Sequence, residues 1–425
     1  MRLELASYHV SEIDFGTRTY LENHRLMIDR AELESMLAPD PSFASIHVEL
    51  ARPGERVRIV HVLDQFEPRL KIDGGPTFPG FLGPPATVGN GRTHRLANVA
   101  VLQAGEFPVP VTGLLSVHES TVDMDGPGQA YSPFGSTLNV VLVPTPAEGV
   151  DNERYDASLR LAGLKTACYL AEATRDLDPD GVRVYDFADA DHDLPRVVYI
   201  DQLQSQGIFA RTFIYGHHAN ELLPTFLNAN EIIDGALVNG VYVYASVNTP
   251  TYLHCNNPVI NALNAVHGTE LNFVGTVISK GHNYSQTLKE RSANYAANLA
   301  AWLRPDGAIV SLEGSGNAYV DVMLTVKRCE ELGIRTTLLV AELGGHDGTD
   351  QPLTMSLPAA DAMVTAGGAD RLVELPPVER AIGGERMRDY RAEWRPATAA
   401  ATLALEQICC STNQLGGSRL STEAY

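Results

Sequence analysis

Ala308-Ile309-Val310-Ser311-Leu312-Glu313-Gly314-Ser315-Gly316-Asn317 passes from an apolar run through a glycine turn into the stripe Tyr319, Val322, Met323, Val326, Cys329. The run reads as a buried strand, and apolar positions three and four apart read as one face of a helix. The unit recurs on both sides. Leu271 to Ser279 predicts a strand and Gln286 to Leu303 a helix, while Thr336 to Glu342 and Ala362 to Thr365 predict further strands. Strands alternating with helices of this length imply a parallel, Rossmann-like α/β sheet with flanking helices and right-handed crossovers.

Upstream, Asn152 to Asp176 is amphipathic and rich in Ala and Leu, hence helical, and Arg196 to Ile200 is a short strand. Before that the rhythm differs. Apolar runs at Ser45 to Leu50, Arg56 to Leu63 and Asn98 to Leu102 are separated by the turn signals Pro53-Gly54, Gly74-Gly75-Pro76 and Gly89-Asn90-Gly91. The chain therefore divides into a β-rich N-terminal domain over 1–147 and an α/β domain over 148–425, with a subdivision near 246–256 as an option. A length of 425 residues calls for two or three packed units.

A formal net charge of -20 opposes nucleic-acid binding, because phosphates would be repelled without a concentrated basic face. No run of roughly 18 apolar residues suggests a membrane span, and Met1-Arg2-Leu3-Glu4 does not open a signal peptide, so the cytoplasm is expected. The cysteines are Cys168, Cys255, Cys329, Cys409 and Cys410, an odd set with no C-x-x-C pair. Neither a disulfide framework nor a zinc site follows, and no metal is expected. The adjacency of Cys409 and Cys410 argues against a mutual disulfide and against a chemical role.

In a parallel sheet, loops leaving the carboxyl ends of strands form the ligand edge. Two such tips are Glu313 to Asn317 and Glu342-Leu343-Gly344-Gly345-His346-Asp347, which offer Glu313, Asn317, Glu342 and His346 as acid, base or binding groups. Neither is a dinucleotide or P-loop fingerprint. The stretch Gly240 to Pro258 reads as a strand ending near Ser246, followed by a polar turn with His254, Cys255, Asn256 and Asn257. Ser246 or Cys255 becomes a nucleophile if a base or dipole activates it; otherwise each is a turn residue or a small buried hydrophobe. Arg92 and His94 follow a glycine-rich loop and suit a carboxylate clamp, or simply a solvated strand start. Asp123, Asp125 and the pair His217-His218 are weaker candidates for ion binding, with structural roles favoured. One pocket is expected, with the segment around Ser246 and Cys255 facing the tips at Glu313 and Glu342.

Several segments together resemble one family. They are Asp125-Gly-Pro-Gly with Tyr131-Ser-Pro-Phe134, Thr137-Leu-Asn-Val-Val-Leu-Val143, Leu203-Gln-Ser-Gln-Gly207, Asp234-Gly-Ala-Leu-Val238, Asn256-Asn-Pro-Val-Ile260, Leu271-Asn-Phe-Val-Gly275, Lys289-Glu-Arg-Ser292 and Val364-Thr-Ala-Gly-Gly368. The chain is similar in these, in order and over nearly its whole length, to the α/β precursor subunit of glycine/sarcosine/betaine reductase component B, a family related to the D-proline reductase proprotein. The resemblance implies self-cleavage at an internal cysteine that leaves a pyruvoyl group, condensation of a substrate amine with that carbonyl, and attack on the substrate α-carbon by a thiolate or selenolate of a partner subunit. It thus implies a hetero-oligomer acting on a small carboxylate substrate. The position of the family cysteine is Ser246 here, so the pyruvoyl group would come from Ser246, or from Cys255 in a second alignment. Arg291 joins Arg92 as a candidate for the substrate carboxylate. The alternative is an unprocessed, non-catalytic scaffold or substrate-binding subunit of the same complex.

Overall fold

The computed structural model describes residues 1–109, 120–188, 193–204, 212–240 and 245–416, with the backbone of Glu423–Ala424. At its centre Asn272–Gly281, Arg196–Gln204, Gly307–Leu312, Arg335–Glu342 and Met363–Gly368 lie side by side and run parallel. Val198, Ile200, Val310, Leu312 and Leu338 are sealed from solvent, as continuous apolar strands must be when layers cover both faces of a sheet. The helices Gln286–Trp302 and Asn317–Glu331 pack against it, and Ala296, Ala297 and Ala300 allow close approach. These two helices lie within two residues of the expected Gln286 to Leu303 and Tyr319 to Leu332, since an apolar stripe is a local signal.

The edges depart from the parallel expectation. Thr225–Leu227 adds antiparallel to Asn272–Gly281, and Glu423–Ala424 adds antiparallel to Met363–Gly368. The sheet is therefore mixed, because strands that short carry no periodic signal. Of the strand expected from Gly240, residues 241–244 lie outside the described residues; Leu237–Val238 belongs to a small antiparallel sheet and Ala245–Val247 is a single 3-10 turn.

The N-terminal region is built of small sheets. One places Phe43–Ala51, Leu138–Pro146, Val99–Ala104 and Val62–Phe66 side by side. The helix Asn152–Ala171 buries Tyr155, Leu159, Ala167 and Leu170 in the same core as Phe66, Val101 and Val140. Two later strands also join this region: Gly181–Asp186 pairs with Arg2–His9, and Arg380–Ile382 pairs with Val57–Ile59. Among the described residues no helix is long and apolar enough to cross a membrane.

Gly163 marks the tightest contact of that helix with the sheet, since a Cβ there would stand 2.2 Å from Cε2 of Phe66. Alanine is favoured over glycine by about 1 kcal/mol in a helix interior, yet the clash demands a shift of a packed ring costing roughly 1–3 kcal/mol. Gly163→Ala is expected to lower the urea midpoint. A higher midpoint would mean that the ring has room to move.

Candidate active site

The carboxyl half of the central sheet meets the N-terminal region around one buried histidine. His254 sits on the helical turn Thr251–Cys255, whose first residue is held from outside the α/β sheet. Asp64, on the strand Val62–Phe66, accepts the Thr251 hydroxyl at 2.6 Å and the Thr251 backbone N–H at 3.0 Å. The turn begins where that carboxylate satisfies it.

His254 is wholly buried, and its Nε2 lies 3.4 Å from Oε1 of Glu313, at ion-pair rather than hydrogen-bond geometry. The other Glu313 oxygen accepts the Gln204 N–H at 2.7 Å and the Thr212 hydroxyl at 3.1 Å. Asp201, on the central strand, accepts the Ser311 hydroxyl at 3.0 Å, and Ser311 is 2.7 Å from the Tyr199 hydroxyl. The second Asp201 oxygen has no partner among the described residues.

Burial works against charge on the His254 ring, but the Glu313 carboxylate, followed by Asp201 and Asp64, outweighs it and the net shift is upward. Burial pushes both neighbouring acids up to about 6, with the Glu313 charge adding to the effect on Asp201 and hydrogen bonds from Thr251 opposing it at Asp64. The cluster thus holds two carboxyls that exchange protons near neutrality and a histidine biased toward its cation. Such pairing of shifted groups suits proton transfer.

Asp201 allows a test of sign. Its pKa is raised from 3.8 to about 6 in the fold, so its contribution to stability is complete below 3.8 and is lost as the pH rises through 6. Above pH 7 its ionised form costs about 3 kcal/mol. Asp201→Asn keeps the acceptor for Ser311 and is expected to recover much of that cost at pH 8 but not at pH 4. Urea unfolding at both values would reveal a burial cost too small to matter if the variant tracked the wild type throughout.

Ser246 lies on the 3-10 turn Ala245–Val247, which precedes the turn that carries His254. Its side chain is fully buried, and its hydroxyl has no hydrogen-bond partner among the described residues. The carbonyls on either side of its Cα and N are held by a distant segment: the Cys410 N–H donates to Ala245 O at 2.7 Å, and the Thr412 N–H to Ser246 O at 3.0 Å. Further buried oxygens without partners among the described residues belong to Asn248, Thr412 and Gln414. Buried polar atoms are nearly always satisfied, so this concentration marks a place prepared for chemistry or for water. A hydroxyl and two engaged backbone donors thus lie at the bond between 245 and 246.

The other expected residues distribute differently. Cys255 is buried in the apolar core of the N-terminal region, where burial pushes its thiol up to about 12, while its carbonyl accepts Arg69 at 3.0 Å. This favours a packing role. Asn256 accepts Arg95 at 2.8 Å, and Asn257 caps the helix Pro258–Val266 through Ile260 N at 3.0 Å. Arg92 donates its guanidinium to Glu4 at 2.6 Å on the outer N-terminal sheet, so the carboxylate it clamps is internal. His94 is buried between Tyr8 and Thr174, at 3.3 and 3.1 Å. Arg291 and Asn317 are exposed, Arg291 at a shallow hollow with Lys280 and Glu221.

The single expected pocket is two places. Glu313 does meet His254, but Glu342 and His346 line a separate cleft of about 570 Å³ with Asp350, Leu353, Met363 and Arg371. None of 246–257 lines it, because the 335–342 strand lies beyond the 307–312 strand, away from the 196–204 centre. Asp123 is taken up by Arg58, and His218 stacks on Phe213 with ring centroids 4.5 Å apart. Among the described residues no group of three or more His, Cys, Asp or Glu could hold a metal.

Sequence reading missed Asp64, Asp201 and the segment from Cys409 to Gln414. The two acids had a signal: each is a lone charge in an otherwise apolar strand, Val62-Leu-Asp-Gln-Phe66 and Val197-Val-Tyr-Ile-Asp201. A charge on such a strand is costly unless it has a task or a partner. The C-terminal segment had none, since small polar residues after a turn resemble any loop.

The family model for "Glycine/sarcosine/betaine reductase component B subunits" matches residues 1–423. Among known proteins, the chain is 41% identical over 390 residues to "Glycine reductase complex component B subunits alpha and beta" of Acetoanaerobium sticklandii, covering 90% of this chain and 89% of that one. It is 38% identical over 436 residues to the protein of the same name from Peptoclostridium acidaminophilum, covering all of both, and 37% identical over 397 residues to that organism's "Sarcosine reductase complex component B subunit alpha", covering 92% and 90%. No solved structure matches the chain.

Proposed function

Since the chain belongs to the glycine/sarcosine/betaine reductase component B family, we propose that it is a self-processing precursor that serves a complex for reductive cleavage. The bond cleaved is C–N, or another bond to a leaving group, α to the carboxylate of a small amino-acid-like substrate. The reading rests above all on Ser246: a buried hydroxyl with no partner among the described residues, next to a carbonyl already engaged by a backbone donor. Two glycine reductase relatives also carry two subunit names, alpha and beta, on one sequence.

Processing leaves atoms balanced. The Ser246 oxygen bonds to the Ala245 carbonyl carbon, the C–N bond breaks, and the hydroxyl proton ends on the freed amine. Elimination of the ester releases the Ala245 carboxylate and leaves dehydroalanine, whose imine form takes up water and loses ammonia. The pyruvoyl group that results is an electrophilic carbonyl able to engage a substrate amine.

This chain's own residues then have defined tasks. His254, biased toward its cation by Glu313, holds a proton for a departing amine. Asp201 and Asp64 exchange protons with the interior near neutral pH. Ser246, His254 and Asp201 are buried away from bulk water, which favours a soft nucleophile over hydrolysis. That nucleophile, a thiolate or selenolate, belongs to a partner subunit, so the working unit is a hetero-oligomer.

Intact mass of the purified protein tests the proposal. Two polypeptides divided between Ala245 and Ser246, the second gaining mass with a carbonyl reagent such as phenylhydrazine, are expected. A single chain that does not react with it under denaturing conditions would end the pyruvoyl reading.

A further inference from the structure

The donor to the Ala245 carbonyl comes from far along the chain. Cys410 holds φ at +60°, a conformation that an L-residue with a Cβ rarely adopts, and this directs its N–H at Ala245 O over 2.7 Å. The surrounding residues hold that conformation. Cys409 N–H donates to Thr121 O at 3.0 Å, the Ser411 hydroxyl to Leu405 O at 2.7 Å, and the Asn413 amide to Asn248 O at 2.8 Å and Thr249 Oγ1 at 3.1 Å. Gln414 donates to Gly314 O at 2.9 Å, tying the segment to the loop that carries Glu313. Residues 409 to 415 are buried throughout.

Strain kept by a dense local network is found where a backbone group must point in a particular direction. The group that Cys410 presents is a donor, and its target is the one carbonyl on which negative charge would develop when Ser246 adds to it. From this we infer that the Cys410 N–H is the oxyanion donor for self-cleavage after Ala245, and that Asn413 is a positioning residue for it. The inference rests on the reading of Ser246 as the processed residue and adds the machinery that reading lacks. Neither the thiol of Cys410 nor that of Cys409 takes part; only the backbone does.

A consequence concerns timing. A donor supplied by residue 410 is absent until the segment from 409 to 415 has docked, so cleavage waits for that docking. A precursor cut early would separate the two parts before they had packed together.

The decisive experiment replaces one atom. Ligation of a synthetic 409–425 segment to the 1–408 portion at Cys409 gives a full chain in which the amide between 409 and 410 is an ester, with alanine-type side chains at 410 in both the ester and an all-amide control. Hydroxylamine traps the ester intermediate at position 246, and the rate of scission between 245 and 246, read from fragment masses and so told apart from cleavage of the 409–410 ester, reports its formation. Loss of one oxyanion donor lowers such rates about 10²–10³-fold, and that decrease is expected for the ester chain while the all-amide control cleaves like the wild type. Scission of the ester chain at the control's rate would overturn the inference.

Expressed variants provide the second measurement. Cys410→Val sets a β-branched residue at positive φ and is expected to slow cleavage at least tenfold, whereas Cys410→Gly, which adopts that φ freely, is expected to match or exceed the wild type. Asn413→Ala is expected to slow cleavage, with a faster rate restored by Asn413→Gln. Equal rates for the Val and Gly chains, at equal thermal midpoints, would also overturn the assignment of the donor. A wild-type chain with no scission after Ala245 even in hydroxylamine would instead remove the Ser246 reading, and the donor's purpose with it.

Discussion

Ser246→Ala is expected to leave one unbroken chain of 46.0 kDa with no carbonyl-reactive terminus and no turnover in the reconstituted complex. Alanine removes the atom that adds to the Ala245 carbonyl on the proposed route. Cys255 is sealed in apolar packing with its thiol held protonated at neutral pH. Because the Ser246 hydroxyl makes no hydrogen bond among the described residues, its loss is expected to change the thermal midpoint little. Full processing with preserved stability in the alanine chain would place the nucleophile elsewhere. Ser246→Cys provides the converse: a thiol is the stronger nucleophile, so scission is expected to be faster than in the wild type. Slower scission would mean that the site is shaped for oxygen.

Arg58→Met is expected to cost about 3–5 kcal/mol, the usual consequence of breaking a buried ion pair from one side. Arg58 is fully buried and donates to Asp123 at 2.6 and 3.0 Å. It also reaches the carbonyls of Pro376, Ala397 and Ala399 at 3.0, 3.0 and 2.8 Å, fastening the C-terminal region to the strand Val57–Val60. Burial already raises the Asp123 pKa even with Arg58 beside it, so the orphaned carboxyl would rise further and take up a proton. The same fastening lies on the path to residues 409–414, and the variant is expected to process more slowly as well as unfold more readily. Arg58→Met with Asp123→Leu should recover part of the loss, since an apolar pair of similar bulk avoids the stranded charge. Urea unfolding at pH 7 measures both chains. A single-variant loss below about 1 kcal/mol would show that water reaches Asp123 and that the pair is not a structural fastening.

The alternation of strands and helices after residue 271 was legible because each element is a local pattern. Val310 and Leu312 announce a strand, and Tyr319, Val322, Val326 and Cys329 a helix face, whatever they touch. Glycine tips at the carboxyl ends of strands were legible for the same reason, and Glu313 was found that way. Partnership was not legible. Arg92 looked free for a substrate until Glu4, on a strand 88 positions earlier, proved to occupy it. Glu342 sits at a strand end as Glu313 does, yet it faces another cleft.

By itself, then, the order of residues determined the alternation of strands and helices after residue 271 and the likeness to a family, and it singled out the segment near Ser246 for a test. The fold alone decided which groups share that segment's surroundings. Asp64, Asp201, Glu313 and Cys410 reach it from four separate parts of the chain, and no local periodicity links them. The physical reason is range: a backbone prefers helix or strand through neighbours a few residues away, whereas a carboxyl's proton and a carbonyl's donor depend on what lies a few ångströms away after folding.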